Sequence, residues 1–117
     1  MELLEKYEGH VLVFKLSGEL MGGPDTDKFR KMVDKAILNE HIFVVADMSD
    51  VTWMNSSGLG MLISALTSLR SSGGDLYLTH LSDRLRRPIQ ITKLDSVIKE
   101  FPTVQDAVKA IVKVNPL

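Results

Sequence analysis

Residues 42–70 read IFVVADMSDVTWMNSSGLGMLISALTSLR and join two different hydrophobic patterns. The opening run, residues 42–46, is apolar throughout and rich in β-branched side chains, which predicts a strand buried on both faces. From residue 59 onward, apolar side chains recur at helical spacing, at Leu59, Leu62, Ile63, Leu66 and Leu69. Between the two patterns, residues 47–55 are mostly polar and are interpreted as a connection. The stretch therefore predicts a buried strand that leads through a polar connection into a helix.

Upstream of this stretch, the sequence predicts a hairpin followed by a helix. Apolar-rich residues 3–8 and 11–17 flank a Gly9-His10 gap, and the alternation in the second run is typical of a β-hairpin. Gly22-Gly23-Pro24 then marks a turn, and proline suits the first turn of a helix. One apolar stripe at helical spacing predicts that this helix covers residues 25–38.

Downstream, two further strand–helix pairs are predicted. Small and glycine residues at 71–74 end the central helix. Strands are predicted at residues 76–78 and 97–98, and helices begin after Ser82 and at Thr103. The resulting order, β-β-α-β-α-β-α-β-α, indicates an α/β fold. Its sheet is expected to be mixed and largely parallel, with 4–5 strands and about four helices in a single domain over residues 1–117.

Three details of the downstream segment are also predicted. Pro88 is expected to bend or shorten the third helix, because proline lacks the N–H and clashes with the preceding turn. Thr103 and Asp106 resemble a variant of the capping box at the start of the last helix. Pro116-Leu117 is interpreted as a frayed end.

Composition excludes several classes of site. The 117 residues carry 14 basic and 15 acidic side chains, a net charge of −1, without the basic excess of a nucleic-acid-binding protein. There is no cysteine, which rules out disulfides, thiolate metal sites and cysteine nucleophiles. The three histidines, His10, His41 and His80, lack ligand spacing, so no metal site is expected. Without a signal peptide or an apolar run of about 18 residues, a cytoplasmic protein with no membrane contact is the expectation.

The helix start at residues 55–60 is the most distinctive chemical feature. Asn and Ser commonly cap helices, and Gly58 and Gly60 would allow the helix to approach its neighbours closely. A purely structural role for these residues is therefore one interpretation. The functional alternative uses the same physics. A hydroxyl at a helix N-terminus is exposed, and a phosphate added there is stabilised by free N–H groups and the helix dipole.

Residues 47–60, DMSDVTWMNSSGLG, resemble the signature of the STAS domain family of bacterial anti-sigma-factor antagonists. The resemblance extends along nearly the whole chain. Leu16-Ser17-Gly18-Glu19-Leu20 is similar to an early strand end of the family, and Gly73-Gly74-Asp75-Leu76 to the turn into its fourth strand. Ser82, Arg87 and Leu94 fall where the family carries similar residues.

This resemblance implies a partner switch with no catalysis and no cofactor of its own. The unphosphorylated antagonist would bind an anti-sigma factor that is also a serine kinase, and so release the sigma factor. Phosphorylation of Ser56, with Ser57 as second choice, would separate the complex, and a metal-dependent serine phosphatase would restore it. Two departures stand out: Asn55 replaces the usual Asp, and residues 21–24 replace an early segment that often contains Asp.

The resemblance also predicts a partner-binding surface, beside which two other interpretations stay open. The expected surface comprises Met21, Gly22, Gly23, Trp53, Met54, Asn55, Ser56, Ser57 and Gly58. Trp53 and Met54 are expected mainly to anchor their segment in the core. Arg84, Arg86 and Arg87 form a basic cluster that is typical of a solvated helix face or of a contact with an acidic partner. The chain is expected to be a monomer or weak dimer. The alternatives are an adaptor for a target unrelated to sigma factors, and a nucleotide or small-molecule sensor.

Overall fold

One five-stranded sheet organises the computed structural model, which describes residues 1–114. The strands lie in sequence order across the sheet: β1 (Glu2–Glu8), β2 (Val11–Leu20), β3 (Phe43–Met54), β4 (Asp75–Thr79) and β5 (Lys99–Phe101). β1 and β2 form the predicted antiparallel hairpin, whereas the other three pairings are parallel. The helices are α1 (Pro24–Leu38), α2 (Ser56–Ser71), α3 (Asp83–Ile91) and α4 (Val104–Val114). The prediction of a mixed, largely parallel sheet with four helices is therefore confirmed.

The helices cover the two faces of the sheet unequally. α1, α2 and α3 pack on one face over the larger core, where the Phe14 and Phe29 rings meet edge to face at 6.0 Å between centroids. α4 packs on the other face through Val104, Ala107 and Ile111. β3 contributes to both cores, so the prediction that its first half is buried on both faces is confirmed.

The prediction of a polar connection at residues 47–55 is wrong, because β3 continues through Met54. β3 carries two extra residues relative to β2. It advances from Asp47 to Asp50 while β2 advances only from Lys15 to Ser17, and a second register shift follows Gly18. Such bulges break the alternation of inward and outward side chains. A strand interrupted in this way does not show the period-two pattern by which strands are recognised in a sequence.

Two further predictions about the downstream segment need correction. The fifth strand begins at Lys99 and not at Val97, because residues 94–96 form a short 3-10 turn and Val97 follows it. Pro88 does not shorten α3, which continues to Ile91, and a bend at Pro88 stays a prediction. Pro88 removes only one helical N–H, and its own carbonyl still accepts a hydrogen bond from the N–H of Thr92 at 3.1 Å.

The last helix starts as expected. The N–H of Asp106 donates to Thr103 Oγ1 at 3.1 Å, and the Thr103 hydroxyl donates to Asp106 Oδ2 at 2.9 Å, which confirms the predicted pairing. The predicted frayed end at Pro116-Leu117 lies outside the described residues. Over residues 1–114, no helix combines the length and apolar character needed to cross a membrane.

Candidate functional site

The candidate site forms where β2 and β3 end side by side. The two strands run parallel, and their last residues, Leu20 and Met54, are register partners. The segments that follow them therefore leave the sheet at the same edge. The N–H of Asn55 donates to the Leu20 carbonyl at 3.2 Å and fixes this junction. In open α/β sheets, sites gather at the carboxyl ends of strands.

Asn55 connects the two segments and also caps α2. Its Oδ1 accepts a hydrogen bond from the N–H of Gly58 at 2.8 Å, as an N-cap side chain does. Its Nδ2 donates to the carbonyl of Met21 at 3.3 Å. One side chain therefore accepts a hydrogen bond from the first turn of α2 and also holds residues 21–23, here called the Met21 loop, in place.

Gly58 allows α2 to start directly against β2. A Cβ at this position would lie 1.9 Å from the carbonyl oxygen of Leu20. The predicted close approach at Gly58 is confirmed. At Gly60 it is wrong, because Gly60 is exposed and a Cβ there would meet no atom within 4 Å. Leu20 is a site residue that the sequence patterns did not indicate, although it ends the segment 16–20 that carries the resemblance.

The Met21 loop lies against the first turn of α2. Gly22 has φ of +81°, and a Cβ there would lie 2.6 Å from Cβ of Ser57. Glycine is required for this combination of backbone angle and close contact. Gly23 also has a positive φ, but a Cβ at this position would meet no atom within 4 Å. The loop is therefore packed on Ser57 through Gly22 and leaves Gly23 open.

Ser56 and Ser57 are both exposed in the first turn of α2. Their N–H groups belong to the first turn, where backbone donors have no intrahelical acceptor. No acidic side chain lies in that turn. The positive end of the helix dipole is therefore not neutralised by a carboxylate of the first turn itself, which favours an added anionic group.

The two large side chains predicted at this surface are placed differently. Trp53 is 44% exposed, whereas Met54 is 3% exposed and belongs to the core. The expectation of a core anchor is thus met by Met54, whose side chain lies beneath the surface and is not available to a partner. Met21 is 42% exposed. The outer apolar groups of the site are therefore Met21 and Trp53.

The basic cluster on α3 is only partly free. Arg86 pairs with Glu100 at 2.6 Å and with Asp83 at 3.0 Å. Its hydrogen bond to Glu100, with the charge of that carboxylate, raises the pKa of the Arg86 guanidinium above its usual value. Arg84 and Arg87 are exposed. The cluster therefore presents two open guanidinium groups and one that joins α3 to β5.

Replacement of Asn55 tests how the site is held together. Asn55→Ala should lower the free energy of unfolding by about 1 kcal/mol, because the Gly58 N–H loses its cap. Asn55→Asp should retain the cap but place a second acceptor against the Met21 carbonyl. Urea denaturation measures the stability of both variants, and amide exchange of residues 21–23 reports the loop. Equal loop protection in wild type and Asn55→Asp would contradict the role of Nδ2.

Comparison with known proteins agrees with this architecture. A protein-family model described as the STAS domain matches residues 3–107. The anti-sigma-B factor antagonist of Listeria monocytogenes is 32% identical over 99 residues, which span 85% of this chain and 85% of that protein. The resemblance read from residues 47–60 is confirmed by these matches.

Solved structures show the same fold. The crystal structure of an anti-sigma factor antagonist from Mycobacterium paratuberculosis superposes with a TM-score of 0.79 at 26% identity, over 94% of this chain and 92% of that one. The Bacillus cell fate determinant SpoIIAA in its phosphorylated form gives a TM-score of 0.73 at 20% identity, over 94% and 99% of the two chains.

Proposed function

Because the chain belongs to the STAS domain family, with anti-sigma factor antagonists among its relatives, we propose that it is a phosphorylation-controlled antagonist of an anti-sigma factor. Its unphosphorylated form binds an anti-sigma factor that is also a serine kinase, and so releases a sigma factor. Phosphorylation of Ser56 ends that binding. The whole chain, residues 1–117, acts as one domain in this scheme.

The proposal rests mainly on one observation. Ser56 is exposed at the start of α2, and the position of α2 does not depend on the Ser56 side chain. Asn55 caps α2 and Gly58 seats it on Leu20, so Ser56 has no part in either interaction. A kinase can therefore transfer the γ-phosphoryl group of ATP to Ser56 Oγ without breaking the site. The phosphate, with about −1.5 to −2 charges, gains from the helix N-terminus.

Ser56 is preferred to Ser57 for a geometric reason. Ser57 Cβ is packed against Gly22, so a phosphate on Ser57 would lie beside the Met21 loop and compete with it for space. Ser56 is exposed, and neither glycine of the loop approaches it as closely as Gly22 approaches Ser57. A protein with this fold, Bacillus SpoIIAA, has been solved in a phosphorylated form, which supports the compatibility of the fold with the modification.

The surface around Ser56 explains how one phosphate would end binding. Met21 and Trp53 are half-exposed apolar side chains on the two segments that meet at Asn55. We propose that a partner covers them, together with Gly23 and the first turn of α2. Covering a phosphate in the same interface would bury an unpaired charge, and such burial costs several kcal/mol. Affinity falls tenfold for each ~1.4 kcal/mol.

Three other parts of the proposal follow from this scheme. The chain performs no catalysis; it is the substrate of the kinase and of a metal-dependent serine phosphatase that restores the binding form. It acts in the cytoplasm, where ATP is available. Asn55, in place of the usual Asp, leaves the residue before the phosphate uncharged, which eases phosphorylation electrostatically.

A pull-down from native lysate tests the circuit. Tagged wild-type chain should retain a serine kinase, and addition of ATP should place a phosphate on Ser56 and release the kinase. Ser57→Ala is the matched control and should behave as wild type, whereas Ser56→Ala should keep the kinase bound after ATP is added. Mass spectrometry identifies both the partner and the modified residue.

Two outcomes would contradict the proposal. Phosphate on Ser57 in the wild type would show that Ser57, and not Ser56, is the residue whose phosphorylation controls binding. A stable partner of another kind, with both serines unmodified in ATP, would favour an adaptor for a different target, in which Ser56 and Ser57 only form the helix start.

A further inference from the structure

β1 leaves one edge of the sheet open. It is the outermost strand, and β2 is the only element with which it makes an extended contact among the described residues. Within residues 1–114, its outward edge therefore presents unpaired backbone N–H and C=O groups over residues 2–8. Such an edge is a template for another strand. Leu4, at the middle of one face of β1, is 67% exposed.

Charged residues usually protect an edge strand from pairing with another copy, but here one register pairs opposite charges over residues 2–6, most of the strand. If a two-fold axis perpendicular to the sheet relates the two copies, each side chain lies opposite a side chain on the same face of the joined sheet. A symmetric antiparallel pair must then be centred on one residue, which lies opposite its own copy at the axis. Centring on Glu5 would oppose Glu5 to itself and Glu2 to Glu8. Centring on Lys6 would oppose Lys6 to itself. Both registers place like charges opposite one another, which is destabilising.

The register centred on Leu4 is different. It places Leu4 of the two copies opposite each other and pairs Glu2 of each copy with Lys6 of the other. Glu2, Leu4 and Lys6 share one face of β1, and all three are exposed in the single chain. The register therefore combines one apolar contact on the axis with two flanking pairs of opposite charge. On the other face it opposes Leu3 to Glu5, without like charges.

We propose that the chain forms a weak homodimer through antiparallel pairing of β1 about Leu4, which joins the two sheets into one of ten strands. A single seven-residue strand provides a small interface, so the association is weak. The inference does not depend on the proposed function. In the dimer the two copies of the Ser56 site lie at opposite ends of the paired strands and away from the seam, because each site is at the carboxyl ends of β2 and β3.

Charge exchange at Glu2 and Lys6 tests both the dimer and its register. Sedimentation equilibrium up to about 1 mM should show reversible dimerisation of the wild type. Glu2→Lys alone and Lys6→Glu alone each place like charges opposite one another and should raise the dissociation constant about tenfold or more. The double variant Glu2→Lys/Lys6→Glu should restore dimerisation, and it keeps the wild-type net charge.

An equimolar mixture of the two single variants provides an independent check. Each variant alone should be largely monomeric, whereas the mixture should form a heterodimer in which both pairs are again opposite in charge. Folding should be unaffected, since Glu2 and Lys6 face the uncharged residues Ser17 and Val13 on β2, and circular dichroism verifies this. A wild type that stays monomeric, or a double variant that does not recover, would overturn the proposal.

Discussion

Gly58→Ala is expected to lower the free energy of unfolding by about 3 kcal/mol or more. The added Cβ would lie 1.9 Å from the carbonyl oxygen of Leu20 and 2.7 Å from its carbonyl carbon. Both atoms belong to the backbone of β2, which cannot move aside as a flexible side chain can. The start of α2 must therefore shift away from the sheet, and the Asn55 cap and the Met21 loop are disturbed with it.

Gly60→Ala is the matched control for this prediction. It lies on the same helix two residues later, is exposed, and would meet no atom within 4 Å. Alanine is a better helix former than glycine, so this variant should be more stable than wild type by about 0.5–1 kcal/mol. Urea denaturation of the two variants should thus give changes of opposite sign. Similar stabilities for both would show that α2 is not seated on Leu20 in the way described.

Replacement of Ser56 should have the largest effect on binding. Ser56→Asp is expected to weaken binding of the proposed anti-sigma partner by about tenfold or more, because a carboxylate is placed where we propose that the interface closes. The effect should be smaller than that of a phosphate, which carries more charge and more volume. Ser56→Ala should bind as tightly as the wild type and should no longer respond to ATP.

Ser57→Ala again provides the control for binding. Ser57 is exposed and adjacent, so its replacement removes a hydroxyl from the same turn without adding charge. Near-wild-type affinity for Ser57→Ala, beside a clear loss for Ser56→Asp, would assign the effect to charge at Ser56. Fluorescence titration that uses Trp53 as the reporter can measure these affinities, since Trp53 is the single tryptophan and lies in the expected interface.

Much of the fold could be predicted because its signals are local. Helix positions follow from apolar spacing within each segment, and the hairpin follows from the alternation in residues 11–17. The second half of β3 could not be predicted, because it becomes a strand only through pairing with β2 across two bulges. The position of β5 also depends on its neighbour, since Lys99 pairs with Tyr77 of β4 and not with a local partner.

In the candidate site, too, features that depend on nearby residues could be predicted, whereas features that depend on distant strands could not. Placement of residues 21–23 on the same surface followed from the family resemblance. The motif at residues 55–58 was sufficient to predict a helix cap, because a cap depends on residues close together in the chain. It could not separate Trp53 from Met54, since the bulges decide which of the two faces the core. It also could not separate Gly58 from Gly60, because only Gly58 meets another strand.

The most direct test of the central claim is calorimetric titration of the anti-sigma partner with two forms of the wild-type chain, unmodified and phosphorylated on Ser56. We expect tight binding of the unmodified form and at least about a hundredfold loss on phosphorylation, since an unpaired charge would be buried. Equal affinity of the two forms would contradict this expectation. Ser56 would then be only part of the helix start, and control of binding would have to lie elsewhere.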